Sequence, residues 1–259
     1  MKRVILAVII ILAVLFIGCN DKEDGQSSSK DLLLYCGAGI RPPADELIET
    51  FTSEYGIKIS PDYAGSEVLM SKIKLIKQGD LYMPGDKHYV EQAARADMIL
   101  SQKSVCYWVP TILVSKGNPK NIRGLNDLLK PGIKLGLGDS EACAIGRLSK
   151  KILEKNNVKW EDIQKNLAFK SLTVNELGMQ IQAQALDAVI VWDATARYYS
   201  EYGEEIPIAI ENNLISTVDI GVLKFTKHQD LAEKFVDFIT SEKGKAILKK
   251  YHYSTRPPE

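Results

Sequence analysis

Three short loops carry the residue types best suited to chemistry in this chain. They are Gly37-Ala38-Gly39-Ile40-Arg41, Ala64-Gly65-Ser66 and Gly138-Asp139-Ser140-Glu141-Ala142-Cys143-Ala144-Ile145-Gly146. Small residues at such places let backbone N–H groups come close to an anion, and a helix that starts there adds the positive end of its dipole. Taken singly, each loop is better explained as turn punctuation, because glycine is a common breaker between elements. Three loops of one kind, each following an apolar run, make the stronger case for anion capture without naming the anion.

Other chemistries find little support. Gly136-Leu137-Gly138 is followed by Asp139 and lacks the third glycine of a dinucleotide fingerprint, and no P-loop lysine with its hydroxyl neighbour occurs. His88, His228 and His252 lie in scattered polar or charged segments and read as solvated. An exported enzyme would have to use Cys36 as a nucleophile or an Asp pair such as Asp139 and Asp193, yet a lone cysteine on an apolar strand is more simply core. No His, Cys, Asp or Glu spacing suits a resident metal, and no cofactor is expected.

The elements that must position these loops alternate between strand and helix. Leu32 to Cys36 is an apolar run stopped by Gly37, and Pro42-Pro43 then opens a helix where a missing N–H is harmless. Ala44, Leu47, Ile48, Phe51 and Tyr55 form its apolar stripe, and Gly56 ends it. A strand over 57–63 leads to Ser66, which is expected to cap a helix running to Lys77. Leu81 to Met83 is a short strand, and a helix around His88 to Ala96 follows. Val105 to Val114 is a long strand whose interior Pro110 marks an edge or a crossover. Strands over 133–137, 167–171 and 188–192 then alternate with helices over 145–155 and 175–185. A strand over 215–223 precedes two terminal helices, 228–240 and 242–251. Such alternation predicts an α/β protein with mainly parallel sheets flanked by helices. Two series joined by long strands predict two lobes with a hinge: residues 31–110 with 220–259, and residues 111–219.

Composition narrows the function. The 259 residues hold 33 Lys+Arg against 33 Asp+Glu and are 45% hydrophobic, which suits a folded body and not a disordered chain. A chain of zero net charge lacks the basic surface that nucleic acid demands. Four cysteines at 19, 36, 106 and 143 are too few for a disulfide scaffold, and the last three read as small buried hydrophobes.

The first thirty residues read as an address. Lys2-Arg3 precedes fourteen apolar residues, Val4 to Ile17, fewer than the roughly 20 that span a bilayer. Phe16-Ile17-Gly18-Cys19 resembles a bacterial lipobox, so residues 1–18 are expected to be a lipoprotein signal and Cys19 the lipid-bearing residue. Residues 19–30 are polar and Ser-rich and read as a tether. The alternative is an uncleaved signal anchor with a chance cysteine. Loss of Lys2 and Arg3 leaves 31 basic and 33 acidic residues, so anion capture would depend on local dipoles and not on bulk charge.

A family resemblance rests on these segments. Leu34 to Pro43, Tyr63 to Ser66, Gly79-Asp80 to Gly85-Asp86, Gly138 to Gly146 and Thr173-Val174-Asn175-Glu176, in that order, resemble the molybdate/tungstate-binding proteins of ABC importers. The likeness runs from about Asp31 to Tyr253. It implies a type II periplasmic-binding-protein fold that closes on a tetrahedral oxyanion, in a monomer that hands its ligand to an ABC permease with its ATPase outside the cytoplasm. By motif position Gly39 and Ser66 would donate from the first lobe, and Ile145, Val174 and Trp192 from the second. Two departures stand out: the usual first-loop serine is Gly39, and a residue often present as tyrosine is Trp192, which offers an indole N–H. Arg41 is a candidate counter-charge or simply a helix-surface residue. Asp193 is a candidate acceptor of a ligand proton or an extra ligand to the metal centre. Another oxyanion such as sulfate or phosphate, or a small carboxylate, remains an alternative cargo.

Overall fold

In the computed structural model residues 31–258 are described. The expected signal sequence, Cys19 and the tether lie outside them. Two five-stranded sheets organise the rest. The first contains β1 (Asp31–Gly37), β2 (Lys58–Ala64), β3 (Leu81–Met83), β4 (Ile99–Trp108) and β10 (Ser216–Leu223), in the order β2-β1-β3-β10-β4. The second contains β5 (Pro110–Ser115), β6 (Leu135–Gly138), β7 (Leu167–Ser171), β8 (Ala188–Trp192) and β9 (Gly203–Pro207), in the order β7-β6-β8-β5-β9. In each sheet four strands share one direction and a single strand, β10 or β5, runs against them. This is the type II periplasmic-binding-protein fold, with one lobe around each sheet.

The inner parallel strands are short and buried because helices cover their faces. All five residues of β8 are buried, as are the last four of β1. On the first lobe α1 (Arg41–Tyr55), α2 (Ser66–Ile76) and α3 (Lys87–Arg95) follow β1, β2 and β3, and α8 (Gln229–Thr240) and α9 (Glu242–Lys250) close the chain. Phe51 of the expected stripe anchors α1 to α8 through Phe235 and Phe238, at ring-centroid distances of 5.0 and 5.4 Å. On the second lobe α4 (Ala144–Lys155) and α6 (Val174–Gln182) are the main covering helices, with the short α5 (Trp160–Gln164) and α7 (Asp193–Tyr198) between strands.

The long strand expected over 105–114 is two strands that belong to different sheets. Pro110 cannot donate to a ladder, so the chain changes sheets at Val109 and the crossover reading is the one realised. Two reciprocal bonds pin that point: Asp193 N donates to Val109 O at 2.8 Å, and Val109 N donates to Asp193 Oδ1 at 3.3 Å. The chain returns to the first sheet between β9 and β10. The start of β4 and the whole of β9 escape the apolar pattern because Ser101-Gln102-Lys103-Ser104 and Glu204-Glu205 are polar, and both strands lie at sheet edges where such residues are favoured.

Strand direction has one consequence for function. The carboxyl ends of β1, β2, β3, β6, β7 and β8 feed loops at 37–40, 64–66, 84–86, 138–144, 172–174 and 192–193. Ligands of open α/β sheets bind at such ends.

Candidate functional site

Those loops surround a cavity of about 20 Å³ between the lobes. The first lobe lines it with Gly37, Ala38, Gly39, Ala64, Gly65, Ser66, Gly85 and Trp108, and the second with Cys143, Ala144, Ile145, Thr173, Val174 and Trp192. No lysine, arginine, histidine or carboxylate is among them. Burial pushes the Cys143 thiol up to about 11, so it too is neutral.

Hydrogen-bond donors supply the polarity. Helices α2, α4 and α6, of 11, 12 and 9 residues, all begin at the cavity with Ser66, Ala144 and Val174. The first N–H groups of a helix have no partner inside it, and the dipole favours negative charge there. Ser66 does not cap α2 as expected: Gly65 holds the cap position, and Ser66 Oγ instead accepts from Gly85 N at 3.0 Å. With its oxygen engaged in this way, the 2%-exposed Ser66 hydroxyl is set to donate. Thr173 Oγ1 likewise accepts from Glu176 N, at 3.5 Å. In the first loop Ala38 O accepts from Asn175 Nδ2 at 2.9 Å and Gly39 O from the Tyr253 hydroxyl at 2.6 Å. Both carbonyls being occupied, that loop offers an anion its N–H groups.

The lobes are closed. A Cβ built on Gly65 would lie 2.6 Å from Leu172 O and 2.8 Å from Ala142 O, both on the opposite lobe. Glu67 N donates to that same Ala142 O at 3.2 Å. Trp108 at the end of β4 and Trp192 at the end of β8 meet at a centroid distance of 4.6 Å, and Tyr253 packs on Trp108 at 5.9 Å. The two tryptophan rings wall the cavity where the chain crosses between sheets.

Five of the seven ligand candidates read from the sequence therefore line one cavity: Gly39, Ser66, Ile145, Val174 and Trp192. The serine absent at 39 has a steric reason, since a Cβ there would lie 2.8 Å from Val174 Cγ1 and 3.0 Å from Trp108. The other two candidates are placed elsewhere. Arg41 lies over the Tyr63 ring at 4.3 Å and lines a separate cavity, where an aromatic face and solvent satisfy it. Asp193 is 6% exposed, bonded to Val109 and 3.3 Å from Arg197, and contributes nothing to the cavity lining. The groups of the enzyme alternative are also apart. Cys36 is fully buried, its thiol pushed well up by burial, and Asp139 pairs with Lys170 at 2.9 Å. Gly85 and Thr173 lie in segments that carry the resemblance but are not among its ligand candidates, and Trp108 lies in none of them. A large aromatic just before the Val109-Pro110 crossover was the available signal for Trp108.

Residues 32–254 match the family described as bacterial extracellular solute-binding protein. The chain belongs to that family. This solute-binding protein is 27% identical over 214 residues to a protein of Haemophilus influenzae named only as a binding protein, with 83% of this chain and 86% of the relative covered. It is 22% identical to the molybdate-binding protein ModA of Mycobacterium bovis, with 85% and 83% covered. Among solved structures, the periplasmic binding protein AfuA of Actinobacillus pleuropneumoniae, with fructose-6-phosphate bound, superposes with a TM-score of 0.76 at 17% identity over 87% of this chain and 85% of that one.

Two variants of the solute-binding protein test this geometry. Gly65 has φ −64° and ψ 149°, open to any residue, so Gly65→Ala should fold normally yet block closure against Leu172 and Ala142. Its expected signature is ligand affinity reduced about tenfold or more with an unchanged ligand-free Tm, read by titration and calorimetry. Burial raises the Asp193 carboxyl above its usual range, against the opposing pull of Arg197 and the Val109 N–H. The folded state thus holds that proton more tightly than the unfolded chain, so stability is lost as pH rises through the folded value. Asp193→Asn removes the loss: its Tm relative to the parent should be higher at pH 7 than at pH 4, by roughly 2 °C or more.

Proposed function

We propose that this protein captures molybdate or tungstate in the interlobe cavity and delivers it to an ABC permease from an extracytoplasmic position, tethered through lipid on Cys19. One observation carries the reading: three helix N-termini and two hydroxyl groups converge on a small cavity that holds no charged side chain. A fully ionised tetrahedral anion needs many donors and no acceptor, and this lining supplies that balance. At about 20 Å³ the space lies far below the roughly 300–1,000 Å³ of sites for drug-sized molecules, which favours a compact ion over an organic ligand. The molybdate-binding relative agrees with it. Gly39, Ser66, Ile145 and Val174 are the donors in this reading, with Trp192 closing the site and offering its indole N–H. The anion shifts the lobes toward a closed form that the ligand-free protein already samples, because only the closed lobes surround it, and the permease reads the closed form.

The displacement of Asp193 bears on selectivity. Phosphate at neutral pH keeps a proton that needs an acceptor, and an unmet bond of this kind costs about 1–3 kcal/mol. Calorimetric titration with molybdate, tungstate, sulfate, phosphate and simple carboxylates tests the proposal. Expected are one-to-one binding of molybdate and tungstate and phosphate weaker by about ten- to a hundredfold. Tight binding of sulfate or a carboxylate with no response to molybdate would overturn it. Ser66→Ala should weaken molybdate by about ten- to a hundredfold, as expected for a lost bond to a charged ligand.

A further inference from the structure

A largely buried ion pair, its arginine partly exposed, joins the lobes one helical turn behind the cavity. Arg147, on α4, pairs through Nη2 with Oδ2 of Asp86, at the start of α3 on the other lobe. The Arg147 guanidinium also reaches the Tyr89 ring of α3, 5.9 Å from its centroid. The Asp86 side chain is 5% exposed and that of Arg147 18%. The other acid on this face is taken, since Glu91 lies 3.6 Å from Lys87 and 3.7 Å from Arg95.

Each partner is wired to the cavity. Asp86 Oδ1 accepts from His88 N at 2.8 Å and so caps α3, while Oδ2 serves the other lobe. Its neighbour Gly85 lines the cavity and donates the N–H that sets Ser66 Oγ. On the opposite side, Arg147 N donates to Cys143 O in the first turn of α4, whose Ala144 and Ile145 line the cavity. An anion that draws the α4 N-terminus toward the Ser66 loop therefore brings Arg147 onto Asp86.

We propose that Asp86 and Arg147 are positioning residues that latch the lobes shut and set the rate at which the bound oxyanion is released. The proposal rests on the oxyanion reading above. A buried pair gains little net energy because desolvation offsets attraction, but it holds one geometry and punishes loss of either partner. Separated lobes return both groups to water, so the pair weighs on closure and not on the folding of either lobe.

The test uses Asp86→Asn, which keeps a good cap, Arg147→Gln, and the double variant. Release of molybdate, followed by stopped-flow tryptophan fluorescence, should be about tenfold faster in each single variant, with association little changed. The double variant should be no faster than the singles, because one interaction is lost in all three. A merely structural role would instead lower the ligand-free Tm and give additive effects. Small-angle scattering of the ligand-free proteins reads closure independently, and the parent should be more compact than either single variant. Release rates equal to the parent's overturn the latch. If the parent takes up no molybdate or other ion tested, the oxyanion reading fails, and scattering alone then decides: profiles equal to the parent's overturn the latch as well.

Discussion

In the proposed reading, holding an anion without a counter-charge is the constraint on which the rest of this structure depends. The cavity has no lysine or arginine, so its positive potential must come from N–H groups at the starts of α2, α4 and α6. Helix starts converge only where parallel strands deliver their carboxyl ends to one edge, which is what the directions of β1, β2, β6 and β7 achieve. Two lobes are then needed because one edge alone would leave half of the anion in water. Small residues follow from the same requirement, since a side chain at Gly39 or Gly65 would occupy space taken by Val174, Trp108 or the opposite lobe's backbone.

The crossover between the lobes is stiffened where the cavity needs a wall. Pro110 forces the change of sheet, Asp193 holds Val109 from both sides, and Trp108, Trp192 and Tyr253 pack beside it. Asp193 thus has a structural employment that accounts for its burial close to the cavity. Its carboxylate is turned to Val109 and Arg197, and the cavity is left with donors.

Much of this was legible in the sequence, and the gaps have physical causes. Apolar runs marked the buried strands, and the stripe from Ala44 to Tyr55 marked α1, because both patterns record burial on a single face. Edge strands carry no such record: β9 and the first half of β4 are polar on the side that meets water. The three glycine-bearing loops pointed to the cavity, and five of the residues assigned through the family resemblance line it. Arg41 and Asp193 could not be placed in the same way. Whether a charged side chain turns toward a cleft depends on competing partners, here the Tyr63 ring and the Val109 amide, which lie 22 and 84 residues away. Trp108 belongs to the site through the register of β10 and β4, and spacing along the chain does not encode register across a sheet.

The strand order also bears on how the chain is assembled. The second sheet is built from one continuous stretch, β5 to β9, and can be completed as soon as that stretch is available. The first sheet cannot, because β10, near the end of the chain, is inserted between β3 and β4. A chain emerging from its N-terminus therefore exposes the unpaired edges of β3 and β4 until nearly all of it has appeared. Pairings this distant in sequence form slowly. The lobe that is begun first is the one finished last, and the interlobe cavity, which needs both, can exist only after the final strand is in place.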